Sequence, residues 1–434
     1  MLGLHTKKTN AFKSEQFQMR TLVFLVLLAT LSLSAHATKP LTVAQLEQKL
    51  SDAMAAHRTD SELAKKIGSF ELTERWTPTA QARLNAKLSA EPLARLAMQL
   101  LADQSAFLDP PASELRTEAT PEAAAQLRLL TLARGYVVET LSRLPNLFAT
   151  RTTDRFDDSP QVLKENEWPT RAGLHLVGRS SHEITFRDGQ EILSNANTEG
   201  PGTQQTGPEL GMQGFGEFGP DLVIVMTDTA SGQIVWSHWE QGAAGPLAVF
   251  RYSVPKRASH YSVHYCCIQD ASSQSGSSRG GRRGGRPNGT TNEFSHAFHE
   301  TPGYHGSISL DPVTGSILRI SIEAELAIGD PLTKASSVVQ YGPVVLGNRR
   351  SICPLSSLTL TQEHVDSMNP TTNTNPTRVL NETTFTHYQR LGSTMRVIPN
   401  AAENQAPTPA PSLPAAPTLA NPASQEPASQ VPTN

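Results

Sequence analysis

The chain is short of cysteine, with three in 434 residues, and short of excess charge, with 37 Lys and Arg against 40 Asp and Glu. Three cysteines cannot build a disulfide framework, so stability has to come from packed cores, and the length allows two or three domains of ordinary size. A net charge of −3 excludes the basic footprint of a general nucleic-acid binder. The apolar run that starts at Leu22 stops after roughly 15 residues, short of the ~20 that span a bilayer, so the expected relation to a membrane is peripheral at most. No cysteine follows that run near its end, which excludes lipidation there.

What surrounds the run gives its purpose. Lys7, Lys8, Lys13 and Arg20 lead into Leu22 to Ala29, and Ala35-His36-Ala37 closes the segment. Basic, apolar, then A-x-A is the build of a bacterial-type secretory signal, cleaved after Ala37. Met19 stands directly before Arg20, and a start there gives a more typical signal. Loss of residues 1–37 removes four basic residues and one acidic, leaving a net charge of −6. The mature protein is therefore expected in the periplasm or outside the cell. In that oxidising setting one disulfide can form, Cys353 with Cys266 or with Cys267, because neighbours on a strand point to opposite faces. The alternative is that all three cysteines are small buried residues.

From Thr42 onward the periodicity is helical. Thr42 and Gln45 make a capping-box pattern ahead of Val43, Leu46, Leu50 and Met54. Leu63, Ile67 and Phe70 mark a second helix, Thr77-Pro78 opens a third with Leu84 and Leu88, and Leu93, Leu96 and Leu100 a fourth. Short helices need each other's apolar stripes, so residues 38–108 read as a compact helical module. The polar, proline-bearing stretch 109–121 reads as a linker. Beyond it, Leu127, Leu130, Val137, Leu141 and Leu144 fall on one face of a long helix ended by Pro145.

The remainder is β-rich. Leu318, Ile320, Ile322, Ala324 and Leu326 alternate with polar residues, and Asp311-Pro312-Val313-Thr314-Gly315 turns that strand back onto Ser307 to Leu310. A turn at Asn348 joins Val344 to Leu346 with Ser351 to Cys353. Further strands are expected at Phe148 to Phe156, Leu174 to Gly178, His182 to Arg187, Leu247 to Val254, His260 to Ile268 and Met395 to Ile398. The apolar decapeptide after Pro220 is read as a capped helix. Ser/Gly/Arg in low complexity at 271–292 and the Pro/Ala/Thr-rich tail 399–434 predict disorder.

Motifs with chemical meaning are thin. Gly276-Ser277-Ser278-Arg279-Gly280 matches a nucleophile elbow but lies in the low-complexity loop, away from any strand-to-helix turn. Gly214 to Gly219 fits G-x-G-x-x-G, with Glu240 at a suggestive distance, yet no strand precedes it, and it reads as a glycine-rich turn before a helix. His260, His264, Cys266 and Cys267 resemble metal ligands, with His296, His299 and His305 on the next segment. On an extended strand, however, His260 and His264 lie about 13 Å apart, too far for one ion. Arg279, Arg282, Arg283 and Arg286, interleaved with glycine, resemble an RNA-binding tract or a patch for anionic lipid or polysaccharide, but in an exported protein they read first as a solvated hairpin loop. Trp236, Trp239, Phe250 and Tyr252 read as core before ligand groove. No catalytic, cofactor or metal residues are assigned, and no cofactor is implied.

The helix and strand at Tyr136 to Phe156, Phe250-Arg251-Tyr252-Ser253-Val254-Pro255, the run Gly306 to Ile320, Tyr341-Gly342-Pro343-Val344 and Leu380 to Phe385 together carry a resemblance. Residues 125–398 resemble the half-barrel superfamily of outer-membrane lipoprotein-sorting (LolA-type) and periplasmic sigma-regulator (RseB-type) proteins, in a branch of uncharacterised exported bacterial proteins. The resemblance implies an open antiparallel half-barrel with helices across its mouth and an apolar concavity for acyl chains or a partner segment. The fold class is then α+β: a helical module, a LolA-like half β-barrel over 122–398 wrapped round helices, and a disordered tail. The leading functional expectation is a non-enzymatic envelope protein that binds lipid or lipoprotein acyl chains. The second is a scaffold docking an envelope protein through the helical module. The third is a hydrolase drawing on His260, His264 or His299.

Overall fold

The computed structural model describes residues 40–86, 91–161, 170–171, 173–193, 211–212, 214, 216–269, 295–364 and 377–391. The segment expected as a signal, the Arg/Gly loop with its G-x-S-x-G, the strand expected at Met395 to Ile398 and the tail lie outside them. Described residues up to Leu391 belong to one compact unit of mixed α+β structure, with six α-helices and a ten-stranded antiparallel sheet that does not close.

The first four helices are α1 (Val43–Ala55), α2 (Asp60–Gly68), α3 (Pro78–Asn85) and α4 (Pro92–Ser105). Thr42 with Gln45 and Thr59 with Glu62 close reciprocal capping boxes, and Thr77 caps α3. Their shared core holds Leu46, Leu50, Ile67, Trp76, Met98 and Leu101. The stripe expected on α4 is displaced. Leu93 and Leu96 are exposed while Ala94, Met98 and Leu101 are buried, because small Ala94 lets the helix approach its neighbours closely where a leucine would not fit.

The stretch expected as a linker is fastened to the sheet. Asp109 pairs with Arg251, the Arg116 amide donates to the Trp239 carbonyl at 3.3 Å, and Trp239 Nε1 donates to the Ala119 carbonyl at 3.1 Å. The module itself docks through Leu100, which packs with Phe156, Leu360 and Leu380, through the Arg75–Glu240 ion pair, and through Arg319, which donates to the Ala106 carbonyl.

The long helix is α5 (Ala123–Arg143) and the decapeptide helix α6 (Pro220–Asp228). Among the α5 side chains that are described, Leu129, Ala133 and Val137 are buried, at every fourth position. Of the expected stripe Val137 is buried, Leu130 and Leu144 are partly buried against apolar clusters, Leu127 is 64 % exposed, and the Leu141 side chain lies outside the description. α5 packs against α6 and β12, and the turn at Gly315 comes up against its backbone at Leu132.

The strands of the large sheet are β1 (Leu147–Asp157), β4 (His175–Arg187), β5 (Gln190–Leu193), β7 (Gln233–Gln241), β8 (Pro246–Val254), β11 (Gly303–Leu310), β12 (Ile317–Glu325), β13 (Leu332–Leu346), β14 (Arg349–Glu363) and β15 (Arg378–Arg390). Their order is β5-β4-β1-β15-β14-β13-β12-β11-β8-β7. A second sheet joins β6 (Gly211–Met212), β9 (Val263–Gln269) and β10 (Ser295–Glu300), and β2 (Pro160–Gln161) pairs with β3 (Thr170–Arg171). The two strands expected at 174–178 and 182–187 are one, β4.

Alternation gives each strand two faces. One carries Phe250, Tyr252, Tyr304, Ile308, Ile320, Ile322 and Val339 into a core shared with α5, α6, Met212, Tyr261 and Tyr265. Phe250 stacks edge-on against Trp236, so the aromatic group is core. The opposite face receives α4 at Leu380.

Cys353 does not pair with Cys266 or Cys267. It is a free, buried thiol packed with Phe186, Phe218 and Phe385. Cys266 is disulfide-bonded but sits on β9 in the second sheet, opposite Gly211, and the two sheets keep the cysteines apart.

Candidate functional site

Between the apolar blocks the first face of the sheet turns polar. Register lines up Val339, Ser357, Thr383 and Thr153 in one row across β13, β14, β15 and β1, and Ser337, Thr359, Asn381 and Arg155 in the next. Buried hydroxyls need partners, and several are found here. Thr153 Oγ1 lies 2.9 Å from Thr383 Oγ1, while Thr359 Oγ1 and Asn381 Nδ2 donate to the Met212 carbonyl at 3.4 and 3.3 Å. β6 therefore lies directly on this polar seam.

The chain then runs through the glycine-rich turn into α6. Gly216 has φ +100°, and a Cβ there would meet Asp221 Oδ1 at 2.7 Å, so only glycine lets the turn close over that carboxyl. The turn places Glu217 over the seam. Glu217 is 2 % exposed; its Oε1 accepts from Ser357 Oγ at 3.2 Å and lies 3.6 Å from Arg151 Nη2. Glu191 on β5 accepts from the Phe218 amide at 2.7 Å. Burial, and then the carboxylates of Glu217 and Glu191, push Asp221 well above the usual carboxylate range. Burial followed by Glu217 likewise raises Glu191, against the Phe218 and Gly216 amides that hold it down.

α6 is pinned by its last residue. Asp228, buried, accepts from the His260 amide at 2.8 Å, from His260 Nδ1 at 2.6 Å and from Tyr304 Oη at 2.9 Å. His260 thus precedes β9 instead of lying on it. His264 of β9 faces His299 of β10 in register, their rings stacked with centroids 4.1 Å apart. Burial and then His299 lower the His264 pKa. His305 lies apart, near Glu323 and Glu325. Among the described residues no three His, Cys, Asp or Glu side chains are arranged to hold a metal ion.

These elements enclose a cavity of about 200 Å³. Glu217 and Asp221 form one wall, Ser337, Ser357 and Thr359 the sheet side, and His260 and His264 the opening, where the His260 side chain is 74 % exposed. The arrangement can accept hydrogen bonds and hold positive charge. It offers no nucleophile with an attendant base and orienting group.

Sequence reasoning singled out the glycines of the turn and the two histidines, but not Glu191, Glu217, Asp221 or Arg151. The available signal was two acids set among the glycines of 214–219 and the Pro220-Asp221 helix start. No family model, no curated protein and no solved structure matches the chain.

Proposed function

We propose that this chain is a non-enzymatic, exported protein of the cell envelope that takes an apolar ligand, such as a lipid or lipoprotein acyl chain, beneath α5, in the manner of the LolA/RseB-like half-barrels. The observation that carries the reading is the seating of α5. Among its described side chains only Leu129, Ala133 and Val137 are buried, while Leu127, Leu132 and Val138 are exposed. The sheet face in the same core is rich in Ile, Phe and Tyr.

Lifting α5 uncovers Leu129, Ala133 and Val137, at about 5 kcal/mol, and the partly buried Leu130 and Tyr136 besides; an acyl chain returns ~0.8 kcal/mol for each methylene it buries, about 10 kcal/mol for a dozen, which is the same order. The existing cavity is not the acyl site. Its ≈ 200 Å³ and acidic wall fall below the ~300 Å³ at which mostly apolar ligand pockets begin. No helix among the described residues is long and apolar enough to cross a membrane.

Native mass spectrometry of the mature protein, purified gently from an envelope fraction and then extracted with organic solvent, tests this. A recurrent lipid mass is expected. An empty protein whose melting temperature no envelope-lipid vesicle shifts sinks the reading. A partner-docking role draws on a separate observation, the exposure of Leu93 and Leu96 on α4. Crosslinking that recovers one envelope protein only when residues 41–105 are present would favour it.

A further inference from the structure

We propose that the cavity between α6 and the polar seam, walled by Glu217 and Asp221 and open at His260, binds a small ligand carrying a primary ammonium group on a short apolar body. The inference does not depend on the acyl-chain reading, because it concerns a different space in the molecule.

Four observations carry it. Glu217 is 98 % buried and lines the cavity, yet its Oε2 has no hydrogen-bond partner among the described residues. A buried carboxylate oxygen left unmatched is expensive, and a donor entering the cavity would satisfy it. Next, three carboxyl groups, those of Glu191, Glu217 and Asp221, lie close enough to act on one another electrostatically, and Arg151 approaches Glu217 through Oε1 at 3.6 Å, leaving Oε2 to the cavity.

The third is the chemistry of the lining. Ser357 Oγ gives its proton to Glu217 and Thr359 Oγ1 gives its own to Met212, so both hydroxyls present lone pairs, which suits a ligand that only donates. Away from the acids the walls are Met212, Ile224, Val339 and Tyr261, a lining for alkyl carbon. The fourth is size. At about 30 Å³ per water, a cavity of about 200 Å³ has room for a molecule of roughly six or seven heavy atoms.

Burial and the neighbouring carboxylates raise Asp221, so an entering ammonium favours its ionised form, and any proton the carboxyl carries leaves to the buffer. A divalent metal is the poorer occupant, since no three-ligand group is present among the described residues.

Calorimetric titration of the full chain with n-butylammonium at neutral pH, run in two buffers of different ionisation enthalpy and against 1-butanol, tests the assignment. Saturable 1:1 binding with release of up to one proton is expected, weakened at least tenfold in Glu217→Gln and Asp221→Asn and unchanged in Glu325→Gln. Ile224→Trp, which fills the apolar end without touching the acids, should also block binding and serves if an acid variant fails to fold. Absence of binding, equal binding of 1-butanol, retention in the Ile224→Trp protein, or tighter binding of Ca²⁺ overturns the proposal.

Discussion

Asp103 makes the docking of the helical module sensitive to pH. It lies on α4, is buried, and accepts from Gln99 Nε2 at 3.0 and 3.2 Å. Burial, and then the nearby Glu382 of β15, push its pKa up to about 8 from an ordinary 3.8. The folded protein therefore keeps a proton on Asp103 that the unfolded chain gives up above pH ~4. Between those two values the native state binds more protons, so the contribution of Asp103 to stability is full below pH ~4 and is lost as pH rises through 8, levelling off beyond. Each unit is worth about 1.4 kcal/mol, which sets a ceiling of ~6 kcal/mol; relaxation and water entry bring the expected loss to roughly 2–3 kcal/mol. Asp103→Asn removes the titration and retains the bond to Gln99. Urea midpoints measured at pH 5, 7 and 9 should fall with pH for the natural protein and stay flatter for the variant, which overtakes it by pH 9. Glu382→Gln should flatten the slope in part. Parallel curves for Asp103→Asn and the natural protein would refute the reasoning.

Two further outcomes follow from local geometry. Gly315 has φ +74°, and a Cβ there would stand 2.5 Å from the Leu132 backbone of α5, whereas Gly347, at φ +65°, faces open space. Gly315→Ala is therefore expected to lose about 2–4 kcal/mol and Gly347→Ala only about 1 kcal/mol; equal losses by urea denaturation would show that α5 does not press on the hairpin. Cys353 is 1 % exposed and burial pushes its thiol up to about 12. Iodoacetamide at pH 8 should leave the native, unreduced protein unmodified and add a single carbamidomethyl group after denaturation in urea; mass spectrometry showing native labelling, or no labelling in urea, contradicts this placement.

The helices were legible because their ends are written in side chains. Thr42 with Gln45, Thr77 before Pro78, and Pro220 each announce a helix start that the structure contains. Helix faces were harder to read, since on α4 and α5 the leucines drew attention while Ala94 and Ala133 took the closest packing. The β11–β12 hairpin was readable from its alternation and from Asp311 to Gly315. Most of β13 and β14 and all of β15 were not, for a physical reason. Ser336, Ser337, Ser357, Thr359, Thr361 and Thr383 are buried, so the buried side is nearly as polar as a solvent face and the alternation disappears. A disulfide to Cys353 was inferred from residue chemistry alone, and which sheet each strand joins is set by long-range pairing that spacing does not encode.

The same polar rows that hid the strands mark where the molecule departs from what stability would choose. A sheet covered on both faces is most stable with apolar side chains or with fully matched polar ones. The seam satisfies part of its needs, through Thr153 with Thr383 and through the Met212 carbonyl. Yet Glu217 Oε2, Glu191 Oε2, Arg151 Nε, Asn381 Oδ1 and Tyr341 Oη are buried without partners among the described residues, and all five residues belong to the seam or to the carboxylate group beside it. Scattered, such atoms would read as imperfect packing. Here Glu217 lines the cavity itself, where the glycine turn brings it and Asp221 together and Asp228 holds His260 at the opening, so its unmatched oxygen is the one that an entering donor can reach.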